Sequence, residues 1–299
     1  MKEGYKMTRS AKRIFSLVIA LLVLFGAYWL VNNLLPAETV IVSAEDASGR
    51  FMLDVIDCGQ GDSILAKTPD GYTVLVDAGD TDAREAILAE LEEQKADHID
   101  MLVMTHPHAD HIGSMEAVID RYRVSKVLMS GENHSTDAYI GLLEAVKHKN
   151  IPEVFAAPGD TYSFGDLSGE LLGPLKDYDD LNDSSVVMRL KYGVNSFLLT
   201  GDTEKEAENG LLKAYGDLKA DVLKVAHHGS GTSTSDRFLK AVSPRYAAIS
   251  VGSGNDYNHP HPGTVKRLRK NGVTFYQTNL NGCIRFYSDG RTIEAKTEK

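Results

Sequence analysis

The chain has 299 residues, 42% of them hydrophobic, and its 32 basic and 42 acidic side chains give a formal net charge of −10. That length and composition suit one large or two modest globular domains, and no tandem short-period repeat or low-complexity tract argues otherwise. Five basic residues and one acidic residue precede Pro36, so the remainder carries 27 basic against 41 acidic groups, a balance of −14. This disfavours a broad surface for gripping polyanions but leaves room for a local basic groove.

Residues 1–13 form a basic tail with Lys2, Lys6, Arg9, Lys12 and Arg13, and 14–35 hold no acidic or basic side chain. At ~1.5 Å per helical residue such a run crosses a hydrocarbon core of roughly 30 Å. The positive-inside tendency keeps the tail in the cytoplasm and sends the bulk of the chain outward, as a single-pass protein of the cell membrane with its main domain extracytoplasmic. The competing reading is a secreted protein cleaved near Val42-Ser43-Ala44. The apolar run exceeds the roughly 7–15 residue core of a signal peptide, which favours an uncleaved anchor.

Residues 36–50 read as a linker, and from Phe51 the pattern turns strand-rich: 51–56, 63–68 and 72–77, the last two split by Pro69-Asp70-Gly71. Helical spacing over 82–96 is followed by an apolar strand 101–104, a helix from Gly113, a strand 126–129 and a helix 136–149. A second half repeats the alternation, with strands near 169–172, 185–191, 196–199, 221–226 and 246–251. Its helices are expected at 204–215, 236–242 and 262–270, before a last hairpin around Asp289-Gly290. Two sheets with helices outside fit this order. The only cysteines, Cys58 and Cys283, each sit in or beside a strand-like run and read as buried small apolar residues rather than a disulfide.

The segment Thr105-His106-Pro107-His108-Ala109-Asp110-His111 places four potential ligands within six positions. Alternation in an extended segment points His106 and His108 the same way, and Asp110 and His111 follow near a helix start. Imidazoles with a carboxylate suit zinc, manganese or iron, and two such groups side by side can serve two ions. Asp77, Asp202 and His227-His228 each end another strand, where polar groups converge on one rim of a sheet.

In order along the chain, Asp77, the His106-x-His108-x-Asp110-His111 run, Asp202 and His227 resemble the metal motifs of the metallo-β-lactamase superfamily, over about residues 51–290. Within that superfamily Asp54-Val55-Ile56-Asp57-Cys58-Gly59-Gln60-Gly61-Asp62-Ser63, Leu223-Lys224-Val225-Ala226-His227-His228-Gly229-Ser230 and Asn258-His259-Pro260-His261-Pro262 resemble the hydrolase domain of the ComEC competence family and its free-standing relatives. Here one apolar segment precedes that domain in place of a multi-spanning channel. The resemblance implies an α/β fold, an αββα sandwich over 51–295, with two divalent ions, Zn or Mn; the apolar run 14–35 adds one N-terminal transmembrane helix before it.

His106 and His108 would hold the first ion, Asp110, His111 and His227 the second, and Asp202 would bridge them. Asp77 would accept a hydrogen bond from a ligand histidine, and His228 would face substrate. Many family members add a histidine to the first ion roughly twenty residues before the bridging aspartate. Here that region is Asp179-Asp180-Leu181-Asn182-Asp183-Ser184-Ser185, so Asp183 or Asn182 is the substitute and an oxygen-rich site shifts preference towards manganese. A loop capping the next strand explains either residue as well.

Asp110 is the candidate to orient the attacking water or take its proton, and His259 or His261 to protonate the leaving group, unless their loop is only a rigid turn into a helix. Ser230, Thr232 and Asn258 are candidates for contacting substrate. Gln60 and Asp62 either shape the rim or form a turn, and Lys266, Arg267, Arg269 and Lys270 meet a phosphate or face solvent. The expected activity is metal-dependent hydrolysis of phosphodiesters, as a nuclease acting on DNA outside the membrane through a water activated by two ions. The alternatives are a hydrolase of a cell-wall phosphodiester or phosphorylcholine, and a non-catalytic metal-stabilised module of a DNA-uptake complex.

Overall fold

The computed structural model describes residues 49–299; the basic tail, the apolar segment 14–35 and nearly all of the linker lie outside the described residues. Among the described residues no helix is long and apolar enough to cross a membrane. In chain order the strands are β1 (Phe51–Val55), β2 (Ser63–Lys67), β3 (Thr73–Ala78), β4 (His98–Ile99), β5 (Met101–Met104), β6 (Arg123–Val124), β7 (Val127–Met129), β8 (Glu153–Phe155) and β9 (Thr161–Phe164). They continue with β10 (Leu167–Gly173), β11 (Val187–Tyr192), β12 (Asn195–Leu199), β13 (Val222–Lys224), β14 (Tyr246–Ile249), β15 (Thr274–Gln277), β16 (Ile284–Ser288) and β17 (Ile293–Thr297). The helices are α1 (Arg84–Glu93), α2 (Ala109–Ile112), α3 (Met115–Arg121), α4 (Asp137–Lys149), α5 (Lys205–Ala214), α6 (Asp236–Val242), α7 (Pro262–Lys270) and α8 (Thr278–Asn281).

One sheet runs β17-β16-β1-β2-β3-β5-β7-β8, a second runs β15-β14-β13-β12-β11-β10-β9, and β4 pairs with β6 alone. The period-two alternation of the strands sorts their side chains between two faces. Phe51, Leu53, Val55, Val74, Val76, Met101 and Val103 of the first sheet meet Met188, Leu190, Phe197 and Leu199 of the second in one apolar layer. Their neighbours Met52, Leu75, Leu102 and Met104 point the other way, onto Ile87 and Leu91 of α1, Val118 of α3 and Leu142 of α4. On the outer side of the second sheet, Leu198, Leu223 and Ala247 pack on Leu211 of α5, Phe238 of α6 and Leu268 of α7. Two sheets face to face with helices outside both is therefore how this sequence buries its apolar residues, at about 1.5–3 kcal/mol for each large side chain.

In the central part of each sheet, parallel pairing aligns strand ends on one rim. β3 runs parallel to β5, and β12 parallel to β13. The loops after β3, β5, β12 and β13 carry the clustered histidines and aspartates. Both cysteines are buried and free, with the Cys58 thiol pushed up to about 12 by burial and by Asp62.

Candidate metal centre

Each ligand candidate leaves its strand through a specific local device. Asp77, the next-to-last residue of β3, is in the left-handed region at φ 59°, and its side chain is fully buried. There it accepts hydrogen bonds from Thr105 N at 2.8 Å and Thr105 Oγ1 at 2.6 Å, and lies 2.7 Å from His111 Nδ1. With His111 Nδ1–H donating to Asp77, His111 Nε2 is the ring nitrogen that faces the site.

After β5 the chain runs extended to His108, φ −73° and ψ 147°, which starts α2 and so sets Asp110 and His111 on its first turn. His106 Nε2 and His108 Nδ1 meet at 3.0 Å. At the end of β12, Gly201 has φ 49°, and a Cβ there would lie 2.9 Å from Ser185 Oγ. The following Asp202 N donates to that same hydroxyl at 3.1 Å. Beyond β13, His227 and His228 are both left-handed, at φ 50° and 52°.

These devices converge on one oxygen. Asp202 Oδ2 lies 3.3 Å from His111 Nε2, 3.4 Å from His228 Nε2, 3.7 Å from His227 Nε2 and 4.0 Å from His106 Nε2. Ligand atoms of His106, His111 and Asp202 lie within 4.8 Å of one another, and so do those of Asp110, His111 and His228. His111 Nε2, His228 Nε2 and Asp202 Oδ1 are buried without a hydrogen-bond partner. Orphaned buried polar atoms are costly, and bound cations would supply the partners they lack. The donor set, imidazoles with carboxylates, is one that zinc or manganese accepts, so the residues present fit a metal centre.

The local field favours positive charge. Burial opposes ionisation of Asp202 and Asp110, but His228 and His111 outweigh it and hold both carboxyls below the usual range. Burial likewise works against charge on His111 and His228, yet Asp202, with Asp77 beside His111 and Asp110 and Asp62 beside His228, holds both imidazoles well above their ordinary values. His106 is kept neutral by burial and by His111. A bound divalent cation would replace the protons on His111 and His228.

The two adjacent histidines diverge. His227 Nδ1 lies 2.9 Å from Glu204 Oε1, and Thr232 Oγ1 donates to the same oxygen at 2.7 Å. His228 is buried, with Nδ1 3.1 Å from Ser250 O and 3.3 Å from Asp62 Oδ1, and Nε2 3.3 Å from Asp110 Oδ2. Asp62 in turn pairs with the buried Lys224 Nζ at 2.7 Å. It is thus His228, expected from sequence to face substrate, that shares the buried cluster with Asp110 and His111, while His227 forms the more exposed wall beside Asp202.

A pocket of about 370 Å³ opens over the cluster, lined by His108, Asp110, Asn182, Asp202, His227, His228 and His259, with Gln60, His134 and Tyr257 among the rest of its wall. Asp183 is not brought there: its Oδ1 accepts from Glu204 N at 2.7 Å and Ala207 N at 3.1 Å, capping the start of α5. Asn182 is, and its Oδ1 is buried and unpartnered. Ser230 and Thr232 bond one another at 2.7 Å and stand outside the pocket lining. His261 Nδ1 accepts from Gly263 N as the cap of α7, and Asn258 is exposed; neither lines the pocket. Arg267 bonds the carbonyls of Ser233 and Thr234, whereas Lys266, Arg269 and Lys270 are exposed.

Sequence reasoning missed Lys224 and Glu204. The available signals were a lysine inside the apolar run 222–226, and a glutamate two residues after Asp202.

Residues 56–253 match the metallo-β-lactamase superfamily. The chain belongs to this superfamily. It is 31% identical to the ComE operon protein 3 of Bacillus subtilis over 257 residues, 80% of this chain and 33% of that protein. It is 33% identical to the competence protein ComA of Neisseria gonorrhoeae over 239 residues, 78% of this chain and 31% of the relative. The chain thus spans about a third of the length of these curated relatives. Among solved structures it is similar to Igni18, a metallo hydrolase from the archaeon Ignicoccus hospitalis, with a TM-score of 0.53 at 14% identity over 79% of this chain and 98% of that one. That likeness is one of fold.

Proposed function

We propose that the chain is a metal-dependent phosphodiester hydrolase, a nuclease acting on DNA, anchored by residues 14–35 with its hydrolase domain outside the membrane. The observation that carries the reading is the convergence of His106, His111 and His228 on Asp202, with Asp110 beside His111 and His228 and orphaned buried atoms among them, at the floor of an open pocket. The names of the competence relatives support DNA as the substrate.

His106 and His108 would hold one ion and Asp110, His111 and His228 a second, with Asp202 between them and Asn182 Oδ1 supplying oxygen from the wall. Two divalent cations, zinc or manganese, would supply an activated water at neutral pH and offset the charge of the phosphoryl oxygens. Asp110, ionised and facing the pocket, is placed to orient that water and accept its proton. Asp77 and Asp62 fix the ring orientations of His111 and His228. His259, held to about 4 by burial and the neighbouring His227 and His228, is uncharged at neutral pH and offers substrate a hydrogen bond rather than an imidazolium proton.

The test is turnover by the full chain loaded with manganese or zinc. Single- or double-stranded DNA and bis-p-nitrophenyl phosphate should both be cleaved, and Asp110→Ala should abolish both activities. Turnover of the small diester without DNA cleavage would support the cell-wall phosphodiester alternative. Metal binding with silence on both substrates would leave the non-catalytic module.

A further inference from the structure

Outside the ion-holding cluster, the pocket wall carries an exposed aromatic pair. Tyr257 is 67% exposed, and its ring stacks on His259 with centroids 5.7 Å apart and planes 27° apart. Among the described residues it is the one exposed large hydrophobic side chain that lines this pocket.

The loop beneath the pair is pinned. Asn255 Oδ1 accepts from Tyr257 N at 3.2 Å and His259 N at 2.9 Å, while its Nδ2 donates to Gly252 O and His259 O. Gln60 Oε1 accepts from Gly252 N at 3.2 Å, and Asp62 N, two residues on, donates to Asp110 O at 3.1 Å. The His259 ring lies 5.5 Å from that of His227 and 6.4 Å from that of His228. The backbone that carries the aromatic pair is therefore pinned beside the cluster, which lowers the ordering cost on binding.

The wall is also notable for what it lacks: among the described residues lining the pocket there is no lysine or arginine. A nucleic acid that reaches the centre must then draw its grip on the flanking nucleotide from a non-ionic surface. A flat aromatic face is what every base can stack on, whatever the sequence. In a duplex both faces of a base are already stacked, so the surface favours a single strand. Capture of a quaternary ammonium uses a cage of several aromatic faces, whereas one open ring face is offered here, backed by an imidazole.

We infer that Tyr257, supported by His259, is a stacking subsite for the nucleobase next to the scissile phosphodiester of a single-stranded nucleic acid. This rests on the phosphodiesterase reading above and names the part of the substrate that the site selects.

The test compares two diesters on the metal-loaded full chain, thymidine 5′-(p-nitrophenyl phosphate) and methyl p-nitrophenyl phosphate. The base-bearing probe should have a KM lower on the order of ten-fold, the size expected of one stacked base. Tyr257→Leu should raise its KM to that of the methyl probe, with kcat on both probes held within about two-fold, and Tyr257→Trp should keep the low KM. Equal KM values for the two probes in the wild-type chain, or a rise shared by both in Tyr257→Leu, would overturn the subsite and leave the phosphodiesterase reading standing. A KM advantage for p-nitrophenyl phosphorylcholine that vanishes in Tyr257→Leu would overturn it in favour of a cation-holding ring. Turnover of neither diester would remove the phosphodiesterase reading and the subsite together.

Discussion

Replacing Lys224 by methionine tests the polar support beneath the metal centre. Lys224 Nζ and Asp62 Oδ2 lie 2.7 Å apart, with side chains 0% and 1% exposed. Removing one partner of a buried pair strands the other charge, at a cost of about 3–5 kcal/mol. His228 Nδ1, 3.3 Å from Asp62 Oδ1, offsets part of this and sets the expectation at the lower end, about 3 kcal/mol.

The pH dependence gives a sharper signature. In the wild-type chain, burial would raise the Asp62 pKa, but Lys224 and His228 outweigh it and hold it low. The stability Asp62 contributes is then present at neutral pH and lost as acid protonates it. In Lys224→Met the burial would prevail and lift the folded-state pKa above the unfolded value. The variant would then lose stability as pH rises, by about 1.4 kcal/mol per unit of upward shift. Urea denaturation of metal-stripped protein should show a larger deficit at pH 8 than at pH 5, and adding Asp62→Asn should recover most of it. A deficit below about 1 kcal/mol at pH 8, the size of an exposed pair, would refute the reasoning. So would one that is equal at the two pH values.

Asp77→Asn removes the carboxylate that orients His111 and should weaken metal binding by about 10–100-fold in calorimetric titration, with the fold retained. Because Asp202 and its neighbours hold protons on His111 and His228, metal binding must displace them. Affinity should therefore rise from pH 6 to pH 8, with proton release visible as a buffer-dependent heat. Burial lifts the Glu208 carboxyl to about 6 against the pull of its Ser235 hydrogen bonds, so the folded chain binds its proton more tightly than the unfolded chain. That contribution is full below the unfolded pKa and disappears as pH rises through about 6. Glu208→Gln should thus gain about 2 kcal/mol relative to wild type between pH 4 and pH 7.5 in chemical denaturation.

What could be read in the sequence follows from how strongly each element is patterned. β1, β3, β5 and β12 were legible because most of their residues are buried, and α7 because Pro262 starts it and a basic turn ends it. β8, β9 and β15 were missed. They are three of the four outer strands of the two sheets, with mostly exposed or half-buried residues and little apolar signal, whereas the fourth, β17, was marked by the turn at Asp289-Gly290. In the candidate site, the clustering of Asp77, His106, Asp110, His111 and Asp202 was legible because each lies at or shortly after the end of a buried strand. The partition between His227 and His228 was not, since it depends on two successive left-handed residues that no spacing rule anticipates. Asp183 and His261 read as site residues by chemistry, yet both accept backbone N–H groups at a helix start, the competing use of such side chains.

The central claim is that Asp202 stands between two ions held by these histidines and carboxylates. Its most direct measurement is the metal content of the full chain after equilibration with manganese or zinc and removal of free ion, for wild type and Asp202→Ala. Two ions per chain in the wild type, and loss of both with a retained circular dichroism spectrum in Asp202→Ala, is the predicted result. Less than one ion per chain in the wild type, or unchanged content in the variant, would contradict it.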